Sequence, residues 1–248
     1  MINLKTPQEI AMMRRAGRLV ASLLQALGAK AFPGVTTLEL DQFSEEFLRQ
    51  RGAIPAFKGY HGYPSTICTS INDEVVHGIP SLRKLKEGDL LSIDAGAILD
   101  GFFGDAAVSL PVHKVSVEAQ RLMDVTREAL MQGIAKAVPG GHLSDISHAV
   151  QTYVEDLGYS VVRDFVGHGI GRALHEDPQI PNFGAPGEGP RLKVGMVLAI
   201  EPMINQGEWQ VKVKADQWTA VTKDGKLSAH FEHTIAIGEK GAEILTQV

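Results

Sequence analysis

The hexapeptide AKAFPG at residues 29–34 recurs as AKAVPG at residues 135–140, which is 106 residues later. The register holds beyond both copies, because apolar residues at helical spacing after the first, such as Leu40, have counterparts after the second, such as Ile146. Chance similarity between two amphipathic helices would explain the apolar spacing but not a near-identical hexapeptide. We interpret the pattern as an internal duplication.

A second pair of matching segments extends the duplication to strands. Residues 88–94 read GDLLSID and residues 195–201 read GMVLAIE, an offset of 107. Each half is therefore predicted to contain two helices followed by strands, in pseudo-repeats of roughly 8–110 and 117–237 within one domain, 1–248. The prediction is a pseudo-twofold α/β (α+β) fold with a central antiparallel-rich sheet, in which the carboxylates that end the two matched segments face each other.

The first long strand is predicted to carry a carboxylate on the face opposite its large residues. Ile93 and its large neighbours alternate with Asp94 and small residues. Asp100-Gly101 is a strong hairpin signal, and if these residues form the loop, Asp94 lies opposite Ala107. Asp105 is then a diagonal neighbour of Asp94 on the same face, within reach of a shared ion. A bulge in either strand would break this parity.

Two later strands repeat the arrangement, with Glu201 and Glu232 each standing among small residues on one face. Buried carboxylates are costly unless they are paired or bind a cation, and the nearest flanking bases, Lys212 and Lys214, lie in a different strand-like segment. Any one of them alone could be an edge-strand or turn residue. Together with Asp94 and Asp105 they predict a site for divalent cations, with acids enough for two ions.

Three histidines and the single cysteine are candidates for the same site. His168 lies in GHGIG at residues 167–171, where glycines leave its ring little to pack on, so it is predicted to be a metal ligand. Imidazole among carboxylates favours Mn, Fe or Co over Ca or Mg. His175 is predicted to donate toward a substrate carbonyl, with a turn-stabilising role as the alternative, and the role of His77 stays open. Cys68 lies in an apolar run and is predicted to line a pocket or pack in the core, not to act as a nucleophile.

Composition narrows the functional classes. The net charge of −5 and the pI near 6.0 give no indication of binding to nucleic acid or to a membrane surface. One cysteine cannot form an intramolecular disulfide, which indicates a reducing compartment, and we expect a cytoplasmic protein. The N-terminal segment is predicted to be a helix opened by Thr6-Pro7, not a signal peptide.

These motifs resemble methionine aminopeptidase of the bacterial, type I form, over nearly the whole chain from about Thr6 to Ile237. The most specific matching parts are residues 70–80 (SINDEVVHGIP), Asp94 with Asp105, residues 167–171, Glu201-Pro202 and residues 231–234 (FEHT). The fold of that family, called pita-bread, is a pseudo-twofold α/β structure. The resemblance therefore implies the same architecture as the duplication.

The resemblance also implies a dinuclear metal site and a pocket for methionine. Asp105 and Glu232 would bridge two divalent ions, for which Mn, Fe, Co and Zn are candidates. Asp94 would complete one site, and His168 and Glu201 the other. The catalytic residues would be His77, His175 and Glu201, and the substrate pocket would be lined by Tyr60, Tyr63, Cys68, His77, His175 and Trp218.

The implied reaction is removal of the initiator methionine from nascent polypeptides with a small second residue. A water shared by the two cations would attack the scissile carbonyl. Glu201 would accept its proton, and His175 would donate a hydrogen bond to the developing oxyanion. The partners expected are polypeptide N-termini, with docking on the ribosome left open and a monomer as the expected state.

The sequence departs from the family at two pocket positions and leaves two alternatives. Phe57 stands where some members have cysteine, and Leu174 precedes His175 where others have phenylalanine. These changes put the fine side-chain preference in doubt, but not the reaction. One alternative is an Xaa-Pro aminopeptidase or prolidase, which shares the ligand set but generally carries an additional N-terminal domain. The other is a non-catalytic pita-bread module that binds polypeptides.

Overall fold

The computed structural model describes residues 2–248 as two halves of similar build joined through one sheet. The helices are α1 (Pro7–Gly28), α2 (Thr37–Gln50), α3 (Val117–Lys136) and α4 (Leu143–Asp156), and a 3-10 turn covers Tyr60–Gly62. The strands are β1 (Ile54–Pro55), β2 (Ile67–Ile71), β3 (Glu74–Val76), β4 (Leu90–Leu99), β5 (Phe102–Pro111), β6 (Ser160–Val161), β7 (Gly167–Gly169), β8 (Glu176–Ile180), β9 (Val197–Ile200), β10 (Met203–Asn205), β11 (Val211–Val213), β12 (Ala220–Thr222), β13 (Ser228–His230), β14 (Glu232–Gly238) and β15 (Gly241–Ile244). In each half two helices precede the long strands, as predicted.

The duplication is visible in matching backbone hydrogen bonds. The N–H of Gly34 donates to the carbonyl of Leu85, and the N–H of Gly140 donates to the carbonyl of Leu192, both at 2.8 Å. The two glycines have φ of +99° and +89°. Glycine reaches this region without a Cβ clash, so the last residue of each hexapeptide makes the same turn in both halves. The predicted pseudo-twofold fold is confirmed.

Across the described residues the central sheet has nine strands, all paired antiparallel. Its order is β1-β4-β5-β14-β9-β7-β8, with β2 added to β4 and β15 added to β14. Strands β4 and β5 from the first half meet β14 and β9 from the second, so the join between the halves runs through the β5–β14 pair. Two three-stranded sheets, β13-β10-β6 and β11-β12-β3, lie outside this path. The predicted antiparallel-rich sheet is confirmed.

The helices of each half pack on large apolar residues of the sheet. In the first half, Leu23 of α1 and Leu48 of α2 belong to one buried cluster with Ile93 of β4. In the second half, Leu130 of α3 and Ile235 of β14 belong to another. Because side chains alternate along a strand, this packing leaves the small residues and the acids on the other face.

Helix α1 lies directly against β5 because Gly104 has no side chain. A Cβ at Gly104 would lie 2.8 Å from the backbone carbon of Ala16 and 2.8 Å from the nitrogen of Gly17. This close approach fixes the strand immediately before Asp105. None of the helices within residues 2–248 has an apolar stretch long enough to cross a membrane.

Candidate active site

Three adjacent strands bring three carboxylates onto one face. Asp94 of β4 lies opposite Ala107 of β5, and Ala107 also lies opposite Glu232 of β14. Asp105 pairs with Gly96, so Asp94 and Asp105 are diagonal neighbours with no bulge between them. The predicted hairpin parity is confirmed, and the pairing with β14 adds Glu232 to the same face.

Strands β7 and β9 supply the other two members of the predicted ligand set. His168 lies opposite Ala199, and Glu201 directly follows β9. Nε2 of His168 lies 3.5 Å from Oε1 of Glu201 and 3.7 Å from Oδ2 of Asp105. Nδ1 of His168 lies 3.0 Å from the carbonyl of Gly169, which can only accept. The proton of neutral His168 therefore belongs on Nδ1, and Nε2 turns its lone pair toward the acids.

The tightest group of candidate ligand atoms belongs to Asp105, His168 and Glu232. One atom from each lies within 4.8 Å of the other two, and all three residues are buried. Asp94 and Glu201 stand outside this group but line the same cavity and are partly exposed to it. The structure thus brings together all five predicted ligands.

Burial and mutual repulsion perturb these groups. Burial raises the pKa of Asp94 to about 7. Burial, followed by the charges of neighbouring acids, raises the pKa of Asp105, Glu201 and Glu232 well above the ordinary value. Burial lowers the pKa of His168 to about 4, which keeps the imidazole neutral. The site therefore disfavours ionised acids when no cation is bound.

The residues fit a divalent cation. Oδ1 of Asp94, Oδ1 of Asp105 and Oε1 of Glu232 are buried and have no hydrogen-bond partner among the described residues. Within residues 2–248, no lysine or arginine forms an ion pair with any of the four acids. Orphaned carboxylate oxygens around a neutral imidazole nitrogen make a donor set suited to a transition metal.

These ligands occupy one wall of a cavity of about 250 Å³. All the residues that the sequence predicted for catalysis, metal binding or the substrate pocket line it, together with Phe57, His61 and Leu174. A groove of about 870 Å³ near the start of α3 is larger, but it is a surface feature whose lining includes the exposed Val117. The smaller cavity is therefore the candidate active site.

Comparison with known proteins assigns the chain to a family. Metallopeptidase family M24 matches residues 11–239. Methionine aminopeptidase 1 of Bacillus subtilis is 57% identical over 248 residues, which cover 100% of both chains. The crystal structure of methionine aminopeptidase from Thermotoga maritima superposes with a TM-score of 0.98 at 51% identity, again over 100% of both chains.

The chain belongs to metallopeptidase family M24, among its methionine aminopeptidases.

A prolidase shares the fold, but its chain is longer than the part that matches. Prolidase from Pyrococcus furiosus superposes with a TM-score of 0.80 at 24% identity, and the match covers 99% of this chain but only 65% of the prolidase. At this identity the likeness concerns the fold alone.

In this M24 chain, Tyr63, Cys68 and Trp218 form an aromatic and apolar part of the cavity wall, in which Cys68 lies opposite Asp94. The hydroxyl of Tyr63 donates to the carbonyls of Ile67, at 3.1 Å, and Gly78, at 3.0 Å. The rings of Tyr63 and Trp218 meet edge to face, with centroids 5.1 Å apart. Cys68 is buried, and burial raises the pKa of its thiol well above the ordinary value. A neutral buried thiol is a packing group, which agrees with the prediction that Cys68 is not a nucleophile.

Two predicted histidines also line the cavity. The ring of His175 meets that of His168 edge to face, with centroids 4.3 Å apart. His77 follows β3 with φ of +60°, and its ring lies edge-on to Phe165 at 5.3 Å. Positive φ is uncommon for a residue with a side chain, so the surrounding structure holds His77 in place at some cost.

Two histidines near the site were not predicted. His61 lines the cavity, and His230 is buried with its Nε2 3.9 Å from Oε2 of Glu201. His230 stands two residues before Glu232, and this spacing was a signal that both could share a face. For His61 the sequence offers no comparable signal.

Proposed function

We propose that this protein hydrolyses the peptide bond after an N-terminal methionine, using a pair of divalent cations. The observation that carries the proposal is the convergence of four acids and His168 beside apolar side chains in one cavity. The relatives that match the whole chain are named methionine aminopeptidases, which supports the same reaction here.

The proposed division of the ligands is the one that the resemblance to the family implies. Asp105 and Glu232 lie on adjacent strands with one ligand atom of each within 4.8 Å of the other, and they would bridge two ions. Asp94 would complete one ion's site, and His168 with Glu201 would complete the other. When bound, the cations supply Lewis-acid polarisation of the carbonyl and lower the pKa of a water. Their number and identity are part of the proposal, with Mn, Fe, Co and Zn as candidates.

The side chains around the ligands would handle the protons and the substrate. Glu201 would take a proton from the attacking water and pass it to the leaving amine, as a general base and then a general acid. His175 would donate a hydrogen bond to the oxygen of the scissile carbonyl as negative charge develops there. His77, also on the cavity wall, would contact the substrate next to the cleaved bond.

The cavity explains the proposed choice of side chain. Its volume of about 250 Å³ and its wall of Tyr63, Cys68 and Trp218 suit one unbranched apolar side chain. Tyr60 completes this wall, together with Phe57. A bulky second residue would have to pass the enclosed end, so we expect small second residues to be favoured. The proposed substrates are the N-termini of nascent polypeptides in the cytoplasm, and the proposed state is a monomer.

The test is an assay of metal-stripped protein on Met-Ala-Ser and Ala-Pro during titration with Mn(II), Fe(II), Co(II) or Zn(II). We expect released methionine that depends on metal and disappears in Asp105→Ala, with Asp124→Ala as a control at an exposed ion pair on α3. Cleavage of Ala-Pro alone would instead indicate a prolidase. No cleavage with any metal, but unchanged affinity for the peptide, would indicate a binding module.

The assigned roles predict that Glu201→Gln and His175→Ala each lower the rate of Met-Ala-Ser cleavage at least roughly tenfold. Calorimetric metal titrations of both variants serve as the control for site loading. Near-wild-type rates in a fully loaded variant would contradict the role assigned to that residue.

A further inference from the structure

A hydrogen bond to His175 comes from a residue assigned above only to the pocket wall. The hydroxyl of Tyr60 lies 2.7 Å from Nδ1 of His175, and the two ring centroids are 5.3 Å apart. A neutral imidazole carries one proton, so the partner of Nδ1 decides whether Nε2 donates or accepts. If Nδ1 accepts from Tyr60, Nε2 keeps its hydrogen and can donate to a substrate carbonyl.

The phenol has the properties of the donor in this pair. Its hydrogen is the only one it can offer, and its oxygen is a weak acceptor because the ring withdraws its lone pairs. Burial raises the pKa of Tyr60 above its ordinary value, so the hydroxyl stays protonated at neutral pH. The short distance is typical of a strong O–H to nitrogen bond.

The loop that carries Tyr60 is held in a strained conformation. Gly59, His61 and Gly62 have φ of +88°, +47° and +89°. The turn is closed by a hydrogen bond from the N–H of Gly59 to the carbonyl of Tyr63, at 2.8 Å, and by one from Tyr63 back to Tyr60, at 2.9 Å. Positive φ at a histidine costs free energy and persists only where the surroundings fix it.

Neighbouring side chains brace Tyr60 within this loop. The ring of His61 packs edge to face on Tyr60, with centroids 4.3 Å apart. Tyr63 anchors the end of the loop through its two hydrogen bonds to backbone carbonyls. The loop therefore holds the side chain of Tyr60 in place, and the direction of its hydroxyl is set before substrate binds.

We infer that Tyr60 is a positioning residue that donates to Nδ1 of His175 and keeps the proton of His175 on Nε2, where it faces the substrate carbonyl. The inference rests on the proposed function for the role of His175, but the hydrogen bond itself does not. Tyr60 acts through His175 and needs no contact with the reacting atoms.

The experiment compares Tyr60→Phe with the wild type in two measurements. Phenylalanine keeps the ring as a pocket wall and removes only the hydroxyl. The first measurement is NMR of the imidazole nitrogens of His175 in metal-free protein, assigned with His175→Ala. The second is the kinetics of Met-Ala-Ser cleavage in metal-loaded protein. Tyr153→Phe, on α4 in the second half, is the control for the same chemical change.

We expect wild-type His175 to carry its proton on Nε2 alone and Tyr60→Phe to show a mixture of both tautomers. We expect kcat of Tyr60→Phe to fall about tenfold, the scale of one hydrogen bond, while KM changes less than about twofold. Tyr153→Phe should change neither measurement.

A wild-type proton on Nδ1, or a variant with the wild-type tautomer and kcat, would overturn the inference. A large rise in KM with unchanged kcat would also overturn it, because Tyr60 would then be only a wall. If the wild type releases no methionine but Tyr60→Phe still changes the tautomer, the proposed function fails and the hydrogen-bond assignment stands.

Discussion

Replacing Asp94 by asparagine should stabilise the metal-free protein at neutral and alkaline pH. The carboxyl of Asp94 lies among three other acids, and burial raises its pKa from 3.8 to about 7. Because the folded state holds the proton more tightly than the unfolded state, this group's stabilising contribution is complete below pH 3.8 and is lost as the pH rises through 7. Asparagine keeps the shape and removes the titration.

The size of the effect follows from the shift. About three pKa units correspond to roughly 4 kcal/mol, which is an upper limit because Asp94 is partly exposed to the cavity. Part of this loss has already occurred at pH 5. Between pH 5 and pH 8 the free energy of unfolding of Asp94→Asn should therefore rise relative to wild type by about 1 to 3 kcal/mol.

The assay is urea unfolding in a chelating buffer at several pH values, repeated with saturating Mn(II). With saturating metal at pH 8, the wild type should be more stable than Asp94→Asn. An ion that binds only the folded state stabilises the wild type more, because the variant has lost a ligand. Asp124→Asn, at an exposed site on α3, is the control for an amide substitution. If the stability difference between the variant and the wild type does not change between pH 5 and pH 8, the argument that the metal-free site disfavours the ionised carboxylate of Asp94 is refuted.

Two further predictions concern positions that hold the first half in place. Gly104→Ala should lower the free energy of unfolding by roughly 2 kcal/mol, because the new Cβ would lie 2.8 Å from the backbone of Ala16. The control is Gly28→Ala, where the Cβ would be 3.4 Å from Leu110, and which should be neutral or slightly stabilising. Equal stability of the two variants in urea unfolding would contradict the packing argument. Asp41→Ala should lower the free energy of unfolding by roughly 2 kcal/mol, because Oδ1 of Asp41 accepts hydrogen bonds from two buried backbone N–H groups. Asp41→Asn keeps that oxygen and should unfold near the wild-type temperature. A similar loss of stability in both variants would assign the effect to the charge of Asp41 instead.

Local rules accounted for much of the first half of the site. The Asp100-Gly101 turn fixed the register of β4 on β5, and parity then placed Asp94 and Asp105 on one face. Both partners lie within one hairpin, so few alternatives competed. The helix start at Thr6 was equally local, because the Thr6 hydroxyl and the Glu9 carboxylate cap each other's backbone N–H.

The contact between the two halves could not be predicted from local turn chemistry. Glu232 lies opposite Ala107 across more than a hundred residues of chain, and no turn fixes that register. Alternation suggested that Glu232 faces a cavity, but not which strand it faces. The sequence analysis also missed two histidines where strand alternation gives little guidance. His61 lies on a strained loop, and His230 lies beside a break between two strands.

The sequence by itself determined the duplicated α/β plan, the face of each carboxylate and, through its resemblance to a known family, the set of residues at the site. These features depend on periodicity, turn chemistry and residue type, which act over a few residues. Only the tertiary structure decided which atoms meet: Nε2 of His168 between Asp105 and Glu201, and the Tyr60 hydroxyl on His175. Such distances depend on how strands and loops far apart in the chain pack, and on the burial that follows.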